Sequence, residues 1–194
     1  MPRIATIERT TLETKVSVTV NLDGTGVTTV TTGVGFFDHL LTSLGHHSLF
    51  DLSISCEGDL HIDDHHSVED TMLVLGEAFA TALGERTGIS RYGNATVPMD
   101  EALGTCAIDV GGRPFSSIRA TLQGPSIGNF TTQNFEHGLE ALARTGGFTL
   151  HLTATGNNDH HVAEAGIKSV ARALRMAVAV DDRRVGIAST KGTT

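Results

Sequence analysis

The chain has 194 residues, of which 39% are hydrophobic and 5% aromatic, and it contains no Trp. This composition suits one domain or two small ones with an aliphatic core. The net charge of −8 disfavours nucleic acid and anionic membranes as partners. No apolar run approaches the length of a membrane-spanning helix, and the first residues lack the apolar stretch of a secretory signal. We therefore expect a cytoplasmic protein that binds neither nucleic acid nor membranes.

The first half of the chain alternates between strand and helix patterns. Period-two alternation predicts strands, and apolar residues spaced three and four apart predict helices. The predicted elements are strand 14–22, hairpin turn 23–26, strand 27–32, helix 37–46, strand 49–56 and helix 64–84. Asp63 or Asp64 is the expected N-cap of the last helix, and the Asp-Gly pair at 23–24 is typical of a hairpin.

The second half repeats this order. Its predicted elements are a strand near 104–110, a hairpin at 111–114, a strand at 115–122, helix 132–145, strand 147–155 and helix 160–179. Residues 86–101 connect the halves and are too short and too mixed in composition for a flexible linker. The sequence therefore predicts a single compact domain made of two halves, about 1–90 and 91–194.

The two halves are related by duplication. Phe37-Asp38-His39 matches Phe135-Glu136-His137 at an offset of 98, and an Asp-His-His-x-x-Glu motif at 64–69 matches 159–164 at an offset of 95. Three extra residues, 60–62, account for the difference, since 98 − 3 = 95. A repeat of this kind marks one structural unit used twice. The predicted fold class is α+β, a tandem duplication of a small ββαβα unit.

The repeated motifs are rich in metal-ligand side chains. On a helix, residues three or four apart share a face, so each Glu lies beside the histidines that precede it. Together with the matched histidines of the shorter helices, the candidate ligands are His39, His65, His66, Glu69, His137, His160, His161 and Glu164. Three His and one Glu for each of two ions would leave coordination positions open, and this donor set suits Mn, Fe, Co, Ni or Zn. The spacing leaves open whether the ligands converge within one chain or face a neighbouring subunit.

Six further polar residues have two possible explanations each. Glu13 is either a solvated carboxylate at a strand edge or a functional group, and Lys168, four residues after Glu164, either pairs with that Glu or binds a ligand. The others are Arg91, Arg113, Ser189 and Lys191. They are either ordinary surface residues, with the last two in a frayed tail, or a set that neutralises an anion.

The chain resembles the imidazoleglycerol-phosphate dehydratases of histidine biosynthesis from Arg9 to Lys191. The resemblance is carried by "GVGFFDHLLTSLGHHSLFDL", "DDHHSVEDTMLVLGEA", "DHHVAEAGIKSVARALRMA" and "STKG". It implies two mixed sheets with helices packed between them, two Mn²⁺ per active site, and a shell of 24 subunits with octahedral symmetry. It also implies metal sites between subunits and removal of water from imidazoleglycerol phosphate to give imidazoleacetol phosphate.

The resemblance also assigns roles to residues. It makes the eight candidate ligands metal-binding, lets Glu13 and Lys168 contact substrate, and gives phosphate binding to Arg91, Arg113, Ser189 and Lys191. The expected catalytic set is Glu13, His66 and Glu164, with Glu13 as general acid/base and the other two also serving as metal ligands. Many relatives have Gln where this chain has Ser43, so that position is left outside the predicted site.

The reaction itself requires an unusual route. The proton to be removed is not acidic, because no carbonyl group lies beside it. Metal ions at both ring nitrogens would favour an imidazolate, which can expel hydroxide to give a diazafulvene whose neighbouring proton is acidic. Two alternatives compete with the dehydratase hypothesis, namely a dinuclear metallohydrolase and a non-catalytic, metal-stapled shell.

Overall fold

A computed structural model describes residues 2–193, which form ten strands and four helices. The first half contributes β1 (Ile4–Thr10), β2 (Thr14–Asn21), β3 (Thr28–Thr31), α1 (Gly35–Ser48), β4 (Asp51–Gly58) and α2 (His65–Leu83). The second half contributes β5 (Tyr92–Met99), β6 (Ala102–Asp109), β7 (Phe115–Ala120), β8 (Ser126–Ile127), β9 (Phe130–Thr131), α3 (Gln133–Gly146), β10 (Thr149–Thr155) and α4 (Asp159–Val178). All four helices lie within two residues of their predicted bounds.

Two four-stranded sheets have the same strand order. The first sheet runs β1-β2-β4-β3 and the second β5-β6-β10-β7, while β8 and β9 form a separate two-stranded ribbon. In each sheet the last pair is parallel and the others are antiparallel, so both sheets are mixed. The repeated order is what a duplicated unit predicts.

The helices fill the space between the sheets. Alternate residues of the central strands are buried, as in Val16, Val18 and Val20 of β2, and they pack onto the helices. Helix α2 contacts β1, β2 and α3, whereas α4 contacts β5, β6 and α1. Each helix pair thus joins one helix from each half, and the predicted α+β class with helices between two mixed sheets is confirmed.

Helix α4 lies unusually close to its sheet. A Cβ built on Gly93 would stand 1.9 Å from the Ala173 carbonyl oxygen, and one on Gly104 would stand 2.2 Å from that of Ala165. Only glycine permits this approach, because any side chain would collide with helix backbone. The close packing holds the start of α4, with its histidines, against the second sheet.

The predicted hairpins are wrong in both halves. Strand β2 does not pair with β3, because β4 lies between them, and β10 likewise separates β6 from β7. The reason is that β4 carries the longer buried apolar run and takes the inner position, whereas β3 has four residues and suits an edge. The residues at 23–26 and 111–114 therefore cross the end of a strand instead of closing a hairpin.

The prediction also missed the first strand of each unit. Residues 4–10 form β1, and the expected connection at 86–101 contains β5. The true unit is therefore βββαβα. Strand registers extend the repeat upstream at an offset of 88, since Ile4 pairs with Asn21 as Tyr92 pairs with Asp109. Within residues 2–193, no helix has both the length and the apolar character needed to cross a membrane.

Candidate functional site

The predicted ligands gather in two clusters, and each cluster takes residues from both halves. The α1/α4 cluster consists of His39, His160 and Glu164, and the α2/α3 cluster of His65, Glu69 and His137. Within each cluster one ligand atom from every residue lies within 4.8 Å of the others. The cause is the helix pairing, which brings the short helix of one half against the long helix of the other.

The α1/α4 cluster is closed by hydrogen bonds. Glu164 Oε1 lies 2.6 Å from His39 Nε2 and 3.0 Å from His160 Nε2, and Glu164 Oε2 accepts from Lys168 Nζ. Burial raises the pKa of Glu164, but the hydrogen bonds from Lys168 and the two histidines outweigh it and lower the pKa to about 2. Lys168 therefore pairs with Glu164, as the simpler of its two explanations predicted.

The α2/α3 cluster is more open. Its Glu69 oxygens lie 3.6 Å from His65 Nε2 and 3.5 Å from His137 Nε2, and Arg144 donates to Glu69 at 3.2 Å. The His65 and His137 rings stack with centroids 4.8 Å apart. Burial raises the pKa of Glu69, but the His137 charge and the Arg144 hydrogen bond lower it on balance.

The remaining two histidines, His66 and His161, belong to neither cluster. Each is held through Nδ1 by a carboxylate, His66 by Asp59 at 3.0 Å and His161 by Glu101 at 2.8 Å. These hydrogen bonds raise the pKa of both imidazoles. A carboxylate on one ring nitrogen leaves the other, Nε2, directed outward, which is the usual arrangement of a histidine that ligates a metal.

The clusters fit a divalent transition metal. Each offers imidazole nitrogens and a carboxylate in one small space, the donor set that Mn²⁺, Fe²⁺ and Zn²⁺ accept. His137 Nε2 is buried and has no hydrogen-bond partner of normal geometry among residues 2–193. A buried ring nitrogen without a partner is costly, and a metal ion at this point would satisfy it.

The aspartates of the two motifs hold a loop instead of capping their helices. Asp64 is the N-cap residue of α2, but its carboxylate accepts from the amide and hydroxyl of Thr131. Asp159 likewise accepts from the amides of Gln123 and Gly124. The 121–132 loop is thereby tied to both motifs. The capping hydrogen bond at α2 comes from Asp63, which accepts from the His65 amide at 2.8 Å.

The four predicted phosphate ligands line one open pocket. Arg91, Arg113, Ser189 and Lys191 all border a cavity of about 420 Å³. Three of the four supply positive charge in a chain that is otherwise acidic, so the cavity suits an anion. The structure thus brings together residues that lie about 100 positions apart in the sequence.

Arg91 is the most constrained residue of this pocket. Its guanidinium donates to both oxygens of Asp109, at 2.6 and 2.9 Å, and to the Ala188 carbonyl oxygen at 2.6 Å. The hydrogen bonds that Arg91 donates to Asp109 raise the pKa of Arg91 above its usual value. The Ala188 contact ties the C-terminal tail to the sheet, which is why Ser189 and Lys191 reach the cavity.

The anion pocket and the histidine motif occupy opposite ends of the second sheet. Glu101, which holds His161, directly precedes β6, whereas Asp109 ends it. Eight residues of extended strand at about 3.3 Å each separate them by about 26 Å. A single small substrate therefore does not bridge the two regions within one chain.

Glu13, the last of the predicted site residues, and Ser43, which was left outside the predicted site, differ in exposure. Glu13 directly precedes β2, is more than half exposed, and lies 3.8 Å from His66 Nε2. Ser43 is buried in α1, and its hydroxyl has no hydrogen-bond partner among residues 2–193. The sequence reasoning missed Asp59, Glu101, Asp109 and Arg144 as supporting residues. Extending the repeat upstream at an offset of 88 pairs Glu13 with Glu101 and would have pointed to the latter.

Fold and site together define a duplicated α+β protein with two histidine–carboxylate clusters and a separate cationic pocket. Comparison with known proteins identifies the family. The family model described as imidazoleglycerol-phosphate dehydratase matches residues 32–174, and the chain therefore belongs to the imidazoleglycerol-phosphate dehydratase family, whose members are hydro-lyases.

Relatives and solved structures extend the similarity over nearly the whole chain. The imidazoleglycerol-phosphate dehydratase of Acidiphilium cryptum is 53% identical, with 99% of each chain covered, and that of Sinorhizobium fredii is 51% identical, with 100% of this chain and 96% of the relative covered. The Staphylococcus aureus crystal structure has a TM-score of 0.83 at 32% identity and covers 92% of this chain and 99% of its own. The Pyrococcus furiosus structure has the same TM-score at 30% identity and covers 97% and 100%.

Proposed function

We propose that this protein removes water from imidazoleglycerol phosphate to give imidazoleacetol phosphate in histidine biosynthesis. The crossed pairing of the helices carries the proposal, because it builds two nitrogen–oxygen clusters for a substrate whose ring has two nitrogens. The metallohydrolase alternative does not account for the chain's membership of this family. The metal-stapled shell alternative does not account for the cationic pocket.

The proposed metal ligands are the six cluster residues together with His66 and His161, and the proposed ion is Mn²⁺, two per active site. When bound, such ions would supply Lewis-acid polarisation of the imidazole ring. The chain's own contribution is to orient the ligands. Glu101 and Asp59 hold the outer histidines through Nδ1, and Lys168 keeps Glu164 ionised.

Glu13 is the proposed general acid/base. Its exposed carboxylate accepts no side-chain hydrogen bond among residues 2–193 and stands beside His66, so it is free to accept the proton that leaves a substrate carbon as water is eliminated. His66 and Glu164 complete the proposed catalytic set as ligands that orient the ring. Lys168 follows Glu164 by four residues and pairs with its carboxylate. It is therefore positioned to contact a substrate held at the α1/α4 cluster.

The cationic pocket is the proposed phosphate anchor. Arg91 and Arg113 supply forked donors that match phosphate oxygens, and Lys191 and Ser189 supply flexible ones. A phosphate held there contributes binding energy remote from the reacting carbon and positions that carbon.

The separation of about 26 Å along β6 supports an active site completed by neighbouring copies. A substrate whose ring and phosphate are joined by three carbons cannot reach from the His161 end of the second sheet to the pocket at the other end of the same sheet. We propose that neighbouring subunits share the metal ligands and that the phosphate pocket of one subunit faces the clusters of another, within a 24-subunit octahedral shell. A cytoplasmic location belongs to the same proposal.

Turnover of imidazoleglycerol phosphate, measured with added Mn²⁺ and after chelation, tests the proposal. Activity should vanish on chelation and return with Mn²⁺, and the sedimentation coefficient should fall on chelation because shared ligands link subunits. The matched comparison is Arg113→Ala, which should raise KM while metal content stays at two ions per chain. A metal-loaded, assembled protein without turnover would overturn the proposal in favour of a metal-stapled shell.

A further inference from the structure

We propose that Asp109 is a positioning residue for the anion pocket, acting through Arg91 and Arg113. This inference rests on the proposed phosphate anchor and deepens it. Asp109 itself does not line the cavity, whereas both arginines do. It lies behind them at the end of β6, where it contacts the arginines and leaves their outer faces to the anion.

Asp109 and Arg91 form a forked ion pair. Nε donates to one carboxylate oxygen at 2.6 Å and one terminal nitrogen donates to the other at 2.9 Å. Both side chains are mostly buried, with 11% of Arg91 and 18% of Asp109 exposed. Two parallel hydrogen bonds fix the plane of a guanidinium as well as its position, so Asp109 determines where the remaining donors of Arg91 point.

The backbone around Arg91 leaves the guanidinium little freedom. Arg91 has φ of +70°, a conformation that non-glycine residues rarely adopt, and its amide and carbonyl are bonded to Ala177 and Val110. A Cβ on Gly111 would stand 2.7 Å from Arg91 NH2 and 2.8 Å from Asp109 Oδ1. Glycine at 111 therefore leaves the space that the ion pair fills.

Donor counting shows what remains for a ligand. A guanidinium has five N–H groups, and Arg91 uses three of them on Asp109 and on the Ala188 carbonyl. Two are left, one on each terminal nitrogen. Asp109 also lies 3.9 Å from Arg113 NH2. The three cations Arg91, Arg113 and Lys191 with one carboxylate give a local charge of +2, which matches a phosphate monoester of about −2.

The first half contains an ion pair at the position that matches Arg91, but neither of its residues lines the anion pocket. Arg3 occupies the position of Arg91 at the offset of 88, donates to both oxygens of Asp23, and donates through NH1 to the Val178 carbonyl at 2.6 Å. Asp23 stands where the second half has Gly111. The carboxylate of this pair thus comes from the crossing loop and not from the strand. Asp23→Asn is therefore a control that breaks an equivalent ion pair elsewhere.

The test compares Asp109→Asn with Asp23→Asn in the Mn²⁺-loaded, assembled protein. Steady-state kinetics with imidazoleglycerol phosphate give kcat and KM, and titration with inorganic phosphate gives its Kd. Asp109→Asn should raise KM and the phosphate Kd about tenfold or more, with kcat within about threefold and metal content unchanged. Asp23→Asn should leave all of these within about twofold, even where it lowers the melting temperature.

Two further variants keep the outcomes distinct. Gly111→Ala pushes the guanidinium without altering any charge and should also raise KM, so it replaces Asp109→Asn where that variant does not fold. Arg113→Ala tests the pocket itself. If Arg113→Ala weakens phosphate binding while Asp109→Asn and Gly111→Ala do not, the positioning role is wrong. If Arg113→Ala also has no effect, the phosphate anchor fails with it.

Discussion

Glu13 and Glu101 stand at the same position in the two halves, each directly before the second strand of its sheet. Glu101 accepts from His161 Nδ1 and from the amides of Asn157 and Asn158, and these bonds lower its pKa to about 2. Glu13 accepts no comparable bond among residues 2–193. The duplication thus places a carboxylate at the same position in both halves, but hydrogen bonds fix only that of Glu101. The carboxylate of Glu13 is not fixed in this way, which suits the proton transfer proposed for it.

The difference arises because the first half uses another residue to hold its histidine. Asp59 binds His66 Nδ1 at 3.0 Å, whereas the matched position in the second half is Asn157, whose amide donates to Glu101. The three extra residues at 60–62 follow Asp59 directly. With Asp59 in that role, Glu13 is not needed to hold His66, so the two halves share an architecture but use different residues to hold the outer histidine.

The largest expected effect separates the two glutamates by turnover. Glu13→Gln removes the proposed general acid/base and should lower kcat by about 10²–10⁴-fold, with metal content unchanged. Glu101→Gln, measured at saturating Mn²⁺, should lower kcat by less than about tenfold, because Glu101 acts only through His161. Full turnover by Glu13→Gln would remove Glu13 from the mechanism.

Metal affinity should reverse this order. Glu101→Gln and Asp59→Asn each loosen an outer histidine and should weaken Mn²⁺ binding by about 10–100-fold, whereas Glu13→Gln should change it by less than about threefold. Equilibrium competition with a chelator of known affinity measures the three variants side by side. Equal affinities for all three would mean that the carboxylates do not orient His66 and His161 for a metal.

The glutamates of the two clusters, Glu164 and Glu69, also differ in how firmly they are held, and the free energy of unfolding should show this difference. In the metal-free protein, Glu164→Gln leaves Lys168 without its buried partner and should cost about 1–3 kcal/mol. Glu69→Gln should cost less than about 1 kcal/mol, because Glu69 is more exposed and Arg144 is mostly solvated. Urea unfolding in chelator, with both variants in the same assembly state, checks this. Equal losses would show that Lys168 does not stabilise Glu164.

Much of the fold could be predicted because helical periodicity is local. Helices α1 to α4 follow from the spacing of their apolar residues, and the duplication follows from the repeated motifs. Strand order is a non-local property, and no local signal shows that β4 comes between β2 and β3. Strand β5 was missed because Gly93 and Pro98 weaken its alternation, and its glycine exists to admit α4.

The ligand types could be predicted, but their grouping could not. Spacing places His65 beside Glu69 on one helix, yet His137 joins them only because α2 packs on α3 across the halves. Asp109 and Glu101 gave no motif signal, since a single carboxylate at a strand end is common. The pairing of these carboxylates with Arg91 and His161 is recognised only once the strand registers are known.

The smallest effect concerns the loops that cross the strand ends. Asp51 Oδ1 accepts from the amides of Thr25, Gly26 and Val27, and these bonds lower the pKa of Asp51 below its usual value. A carboxyl whose folded-state pKa is depressed stabilises the fold above its unfolded pKa and loses this contribution as pH falls through the folded pKa. The free energy of unfolding of the wild type should therefore exceed that of Asp51→Asn by about 1 kcal/mol near neutral pH.

The difference in unfolding free energy between the two proteins should narrow as the pH falls through the depressed folded-state pKa of Asp51, because the carboxyl group is then protonated in the folded state as well as in the unfolded state. The matched residue in the second half is Thr149, whose hydroxyl donates to the Arg113 carbonyl at 3.0 Å. Thr149→Val should cost a similar amount, but the cost should not depend on pH, because no titrating group is lost. Urea unfolding of the three proteins in chelator, at neutral and at acid pH, compares the loops directly. A pH-independent gap for Asp51→Asn would mean that neutral hydrogen bonds, and not the charge, hold the first loop.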